Sequence, residues 1–296
     1  MSTSLHWPAP AKINLFLHVL GRRSDGYHEL QTVFQFLDCC DLLDFERRDD
    51  GEILLVTPLP GITAEQNLAV RAARLLKTHT GIDAGVTLHL DKRLPVGGGI
   101  GGGSSDAATA LVALNHLWDL HLADQELAQL GVELGADVPI FLYGRAAFAE
   151  GVGERLTPVE PPESWVVLIK PECSVTTAMV FADPDLTRHT SPITIRAFLE
   201  GTAVGNDCET VVRRHFPPVA AALDWLAERG PARLTGTGSC VYAAYASEAR
   251  ARAVGMQVPA PWRGYVVRAL NRSPLLDRLE HAQANVQMSM DWRWKL

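Results

Sequence analysis

Residues 94–118, LPVGGGIGGGSSDAATALVALNHLW, place six glycines in seven positions, then two serines, then an alanine-rich stretch. Glycine loses more backbone entropy on folding than any other residue, so such a run implies that the backbone itself has a task. Anion binding is one. The first N–H groups of a helix have no partner within it and carry the positive end of its dipole. Glycines admit phosphate oxygens close to those groups, and successive N–H groups can form an anion-holding nest. Ser104 and Ser105 would add hydroxyl donors or cap the helix. No lysine follows the glycines as in the Gly-Lys-Ser/Thr nucleotide loop. Nor is an acidic residue evident about 20 positions on at the end of a following strand, as a dinucleotide fold requires.

Other residue pairs could act beside such a loop. Lys12 and Asn14 are two apart in an alternating run and point to one face, a cation next to an amide. That suits a reacting hydroxyl and a transferring phosphoryl group, and equally a solvated strand face. Asp137, between Gly135 and Pro139, reads as a helix cap or turn aspartate. Tyr27 and His28, at the exit of a turn, could stack on and hydrogen-bond a pyrimidine, or be ordinary hairpin residues. Gly236 and Gly238 allow a backbone turn close to a ligand or to the first glycine loop.

The elements that would position these groups follow from periodicity. KINLFLHVL (12–20) and LQTVFQFLD (30–38) read as an antiparallel strand pair turning at Asp25-Gly26. DGEILLVTPL (50–59) reads as a third strand and 67–77 as a helix. GVTLHLDKRLP (85–95) delivers the chain to the glycines as a strand. Ala107, Leu111, Leu114 and Trp118 make one face of the following helix. A helix over 124–134 stops at Gly135 in a left-handed cap. TPVEPPES (157–164), with three prolines, is the linker candidate, followed by a strand at WVVLIK. Helices are expected near 174–181, 193–200, 206–229 and 247–255, with strands either side of Gly236 and at 264–270. Strands and helices do not alternate strictly, which favours α+β over a doubly wound sheet.

The 296 residues allow one large or two modest domains. A net charge of −7 argues against a general nucleic-acid-binding surface. Five scattered cysteines show no zinc spacing and read as free thiols in a reducing cytoplasm. No stretch approaches a membrane span, and the N-terminus has no secretory pattern. The tail LEHAQANVQMSMDWRWKL could pack on a groove or on a second copy of the chain, as a homodimer.

LPVGGGIGGGSSDAA resembles the second motif of the GHMP kinases, whose loop binds the ATP triphosphate. PAPAKINLFLHV resembles their first motif and LTGTGSCVYA their third, in the right order. Within that family, DGYHEL, FQFLD and LGADVPIFL resemble the branch that phosphorylates the 2-hydroxyl of 4-diphosphocytidyl-2-C-methyl-D-erythritol, in the non-mevalonate route to isoprenoid precursors. The likeness runs from about Pro8 to Ser273. It implies an α+β, two-domain GHMP kinase fold with the active site in the interdomain cleft. Its domains would be an ATP-binding one over 1–160 and a ferredoxin-like one over 161–296 with a short extra tail.

By the resemblance, Lys12 and Asp137 match the catalytic lysine and aspartate. Asp137 would accept or orient the substrate hydroxyl proton, and Lys12 would keep that carboxylate ionised and stabilise the transition state. Asn67, Lys92, Pro95, Val96, Gly97, Gly98, Gly99, Ile100, Gly101, Gly102, Gly103, Ser104 and Ser105 match the ATP site. Tyr27, His28 and Phe181 match a cytidine clamp, and Asn14, Phe34 and Thr177 further substrate contacts. Mg²⁺ would come with ATP, held by phosphates and waters, with no protein metal ligand assigned. Asp106 favours the helix dipole and either faces away or reaches a magnesium-bound water. Rival readings are a GHMP kinase for homoserine or mevalonate, and a non-catalytic nucleotide sensor or RNA-binding module. The Tyr-His pair disfavours the former, and the retained Lys12 and Asp137 the latter.

Overall fold

A computed structural model describes residues 3–202 and 204–293, with side chains as far as Ala284. Two long strands, β1 (Thr3–Arg22) and β2 (His28–Arg48), pair antiparallel around a turn in which Gly26 has φ +89°. The β1–β2 register slips between Pro10 and Lys12 and again between Asn14 and Leu17. Such bulges turn a strand locally and re-aim its side chains. Around this bend β1 is buried on both faces: Ala11 and Ile13 on one, Lys12 and Asn14 on the other. Neither Lys12 nor Asn14 therefore belongs to a solvated face.

β2 is the spine of the sheet. It pairs with β4 (Gly85–Asp91) through Leu42–Arg48 and with β5 (Ala147–Gly151) through Leu30–Phe34. At Phe36 and Leu37 it meets β10 (Arg263–Leu270). β10 carries the sheet on to β7 (Trp165–Lys170), β9 (Val241–Tyr245) and β8 (Ala232–Leu234). At the other edge β3 (Ile53–Leu55) runs parallel to β4, and β6 (Arg155–Pro158) pairs with β5.

Helices α1 (Leu68–Thr80), α2 (Gly102–Leu117), α3 (Asp124–Leu134) and α4 (Val138–Tyr143) close one hydrophobic core over β2 and β4. α5 (Thr177–Ala182), α7 (Glu209–His215), α8 (Pro217–Ala227) and α9 (Glu248–Gly255) pack a second core on β7 and β9. α6 (Ile195–Leu199) and α10 (Pro274–Arg293) complete the set. Leu17 and Val19 of β1 join the second core, and Leu275 and Ala282 of α10 join the first, so each end of the chain ties down the opposite half. The fold is α+β.

Several expectations are corrected. The strand expected over 50–59 is only Ile53–Leu55, because Pro58 and Pro60 lack the N–H a ladder needs. The single helix near 206–229 is two, broken at Phe216 before Pro217 and Pro218. Gly135 ends α3 with φ 163°, extended rather than left-handed. The proline-rich stretch packs on the sheet: Thr157 and Pro158 lie in β6, and Gln35 Nε2 donates to Pro162 O at 3.3 Å. The tail begins inside α10, and its side chains beyond Ala284 lie outside the described residues. Among the described residues no helix is long and apolar enough to cross a membrane.

Candidate active site

α2 begins immediately inside the glycine run, with Gly101 as its N-cap. Ser105 N–H closes the first intrahelical bond onto Gly101 O at 2.8 Å, which leaves the amides of Gly102, Gly103 and Ser104 without a partner in the helix. Gly97, Gly99 and Gly101 have φ of +67°, +73° and +75°, a region glycine enters without a Cβ clash. The serines do not cap this helix. Ser104 lines the cleft, whereas Ser105 is fully buried and its Oγ meets no described partner.

The second glycine turn packs on the first. Cys240 N–H donates to Gly98 O at 2.9 Å, and a Cβ on Gly99 would stand 2.6 Å from Thr235 O and 2.8 Å from Gly238 O. Gly236 and Gly238 therefore serve backbone-on-backbone packing. A cleft of about 540 Å³ runs along the loop, walled by Leu59, Asn67, Lys92, Val96 and Asp106.

On the cleft wall Lys92 Nζ lies 2.6 Å from both Asp41 Oδ2 and Asp106 Oδ2. Asp41 Oδ1 also accepts the backbone N–H groups of Arg93 and Leu94 at 2.6 and 2.7 Å. This cluster joins β2, the end of β4 and the N-terminal half of α2. Burial alone would lower the Lys92 pKa, but the Asp106 and Asp41 carboxylates outweigh it and raise it. Burial pushes the Asp106 carboxyl up, Lys92 pulls it back and nearby Asp41 adds to the rise, for a value of about 7. Lys92 is thus no solvated residue, and Asp106 faces Lys92. Sequence reading missed Asp41, which stands 51 positions from Lys92 with no motif linking them. Asn67 caps α1, its Oδ1 accepting from Ala69 N–H at 2.9 Å.

Beside the loop, Lys12 is 2% exposed, and its Nζ donates to Asn14 Oδ1 at 2.8 Å and to Gly99 O at 3.2 Å. It also stands 3.3 Å from Asp137 Oδ2 and 5.2 Å from the Phe34 ring centroid. Asn14 Nδ2 donates to Thr32 Oγ1 at 2.9 Å, which fixes its amide with the oxygen toward Lys12. Asp137 precedes α4 but makes no side-chain cap bond, and its carboxylate keeps 38% of its surface open. A carboxylate held by a buried ammonium yet partly open to solvent can accept a proton from an incoming hydroxyl.

The remaining residues lie across the sheet junction. His28 stacks on Phe181 of α5 with ring centroids 5.0 Å apart and planes at 29°. Thr177 Oγ1 is 2.9 Å from Thr237 Oγ1 in the second glycine turn. Tyr27 stands apart from its neighbour, 63% exposed. Burial, reinforced by Arg188 and Arg22, pushes the His28 pKa down.

Comparison with known proteins agrees with this architecture. Residues 67–145 match the GHMP kinases N terminal domain and residues 193–264 the GHMP kinases C terminal domain. The chain is 55% identical over 93% of its length, and 98% of the relative's, to 4-diphosphocytidyl-2-C-methyl-D-erythritol kinase of Nitrosococcus oceani. It is 56% identical over 96% of its length, and 97% of the relative's, to the kinase of the same name from Alkalilimnicola ehrlichii. A crystal structure of 4-(cytidine 5'-diphospho)-2C-methyl-D-erythritol kinase superposes with TM-score 0.78 at 35% identity, covering 90% of this chain and 99% of that one. A mevalonate kinase shares the fold at TM-score 0.68 and 16% identity, covering 91% of this chain and 100% of that one. The chain belongs to the GHMP kinases, in the group of the 4-diphosphocytidyl-2-C-methyl-D-erythritol kinases.

Proposed function

We infer that this protein is an ATP-dependent kinase that phosphorylates the 2-hydroxyl of 4-diphosphocytidyl-2-C-methyl-D-erythritol in isoprenoid precursor synthesis. Relatives above half identity over nearly the whole chain carry that activity in their names. The observation that carries the chemical reading is Lys12, whose single buried ammonium touches both the glycine-loop carbonyl of Gly99 and the carboxylate of Asp137.

The reaction forms a bond from the substrate oxygen to the γ-phosphorus, breaks the bond to the β-phosphate oxygen and releases ADP. Asp137 takes the hydroxyl proton, directly or by orienting it. Lys12 stabilises the charge that develops between that carboxylate and the transferred group. The amides of Gly102, Gly103 and Ser104 hold the triphosphate, and Asn67 and Lys92 line the nucleotide pocket. Tyr27, His28 and Phe181 hold the cytidine, while Asn14, Phe34 and Thr177 contact the rest of the substrate.

Among the described residues no cluster of three or more His, Cys, Asp or Glu could hold a metal. Asp41 and Asp106 are engaged by Lys92. This donor set fits a Mg²⁺ that travels with the triphosphate and waters, where it would neutralise phosphate charge. We place the division between an ATP-binding and a C-terminal domain at 160/161, with the site between them. In support, the chain builds two separate cores, and the candidate substrate residues come from both sides. Five free cysteines support a reducing, cytoplasmic setting.

Incubating the protein with ATP and, separately, the cytidine substrate, mevalonate or homoserine, then measuring ADP, tests the reading. ADP should form with the cytidine substrate; turnover of mevalonate or homoserine alone would overturn it.

A further inference from the structure

His28 is held by Arg188. Arg188, in the segment after α5, points its Nε–H at His28 Nε2 from 3.1 Å. Its Nη2 donates to Phe181 O and Asp183 O, both at 2.7 Å, and its Nη1 to Leu186 O at 3.1 Å. The nearest carboxylates in sequence, Asp183 and Asp185, are both engaged by Arg214, and Asp183 also by His215. Among the described residues Arg188 makes no ion pair, so its donors all go to neutral acceptors.

An arginine cannot give up its proton, so the ring nitrogen facing it must be the acceptor. A neutral His28 then carries its hydrogen on Nδ1, which makes no hydrogen bond to a described residue. From geometry alone we propose that Arg188 is a positioning residue of the cytidine subsite. It fixes His28 as the Nδ1–H tautomer, a donor for a ring acceptor of the pyrimidine, and locks the His28–Phe181 stack to the end of α5. This rests on the reading that His28 and Phe181 hold the cytidine.

The surroundings agree. The charged groups facing His28 are Arg188 and, opposite it on β1, Arg22. Its neighbour Glu29 is engaged by Arg23 and Arg155, and Tyr27 points out to solvent. Burial and two nearby cations lower the His28 pKa, disfavouring the doubly protonated ring. Without Arg188, a neutral ring is free to place its hydrogen on Nε2 and turn a lone pair toward the pyrimidine.

The test has two parts. Long-range ¹H–¹⁵N correlation on the free wild-type protein at pH 7.5 should show His28 Nε2 bare and Nδ1 protonated. The reverse overturns the proposal, and this measurement needs no variant. In steady-state kinetics, Arg188→Met should raise KM for the cytidine substrate about five- to tenfold, the loss of one hydrogen bond, with kcat and KM for ATP within about twofold. As pH falls and the ring gains its second proton, Nδ1–H returns, so the variant's KM should recover toward wild type. Wild-type KM should stay flat over the same range. A variant KM equal to wild type, or raised equally at every pH, overturns the proposal. His28→Ala separates the two failures: if it leaves KM for the cytidine substrate unchanged, the clamp reading itself falls.

Discussion

Lys12 Nζ and Asp137 Oδ2 face each other at 3.3 Å, the ammonium sealed inside the sheet and the carboxylate partly open to solvent. That asymmetry divides the labour, since the buried partner cannot leave and the open one can meet a substrate. Asp137→Asn keeps the shape and removes the proton acceptor. Its kcat should fall by ~10²–10⁴ with KM for both substrates little changed, as read by steady-state ADP release. A near wild-type kcat would remove Asp137 from the chemistry.

Lys12→Met should also lower kcat/KM by ~10²–10³, the usual loss when one donor to a developing charge is removed. Lys12→Arg should not rescue it. The cavity is bounded by Asn14 Oδ1, Gly99 O and the Phe34 ring, and a planar fork does not fit a site built for a point charge. Comparing the two variants at equal folded fraction checks this.

Gly99→Ala would put a Cβ 2.6 Å from Thr235 O at a φ of +73°, against backbone on a turn that is itself packed. We expect a lower Tm and a KM for ATP raised by more than that for the cytidine substrate. An unchanged ATP KM in a folded variant would show that the loop's shape is irrelevant to the nucleotide.

Asp106 sets a pH dependence of stability. Burial raises its folded pKa to about 7, above its value in an unfolded chain. Folding therefore takes up a proton there, and this group favours the folded state most at low pH. Its contribution is lost as pH climbs from about 4 toward 7. Tm measured from pH 5 to 8 should fall more steeply for wild type than for Asp106→Asn. Parallel profiles would show that the Asp41–Lys92–Asp106 cluster does not carry the raised value.

Tyr27 is mostly exposed, so Tyr27→Ala should leave Tm within about 1 °C, as surface substitutions do. It should nonetheless raise KM for the cytidine substrate far more than for ATP. Equal effects on both would count against a stacking role.

How much of this was legible depends on the range of each interaction. The helix over 124–134 and the strand at WVVLIK stand where periodicity puts them, because each buries one regular pattern. The glycine run declared its loop because only backbone chemistry explains so many missing side chains. The short helix α4 leaves no periodic signature, since six residues carry less than two turns of pattern. Lys12 looked like one member of a solvated face, because alternation cannot reveal that a bulged strand is covered on both sides. Asp41, Thr32 and Arg188 were silent: each acts on a partner brought near only by the fold, and no local spacing records such a meeting.

A crystal structure with a non-hydrolysable ATP analogue and the cytidine substrate bound together tests the roles of the loop, Lys12 and Asp137 at once. The triphosphate should lie on the amides of 97–105 and the substrate 2-hydroxyl within hydrogen-bond reach of Asp137, with Lys12 between them. A triphosphate seated away from that loop, or a 2-hydroxyl out of reach of Asp137, would contradict those roles.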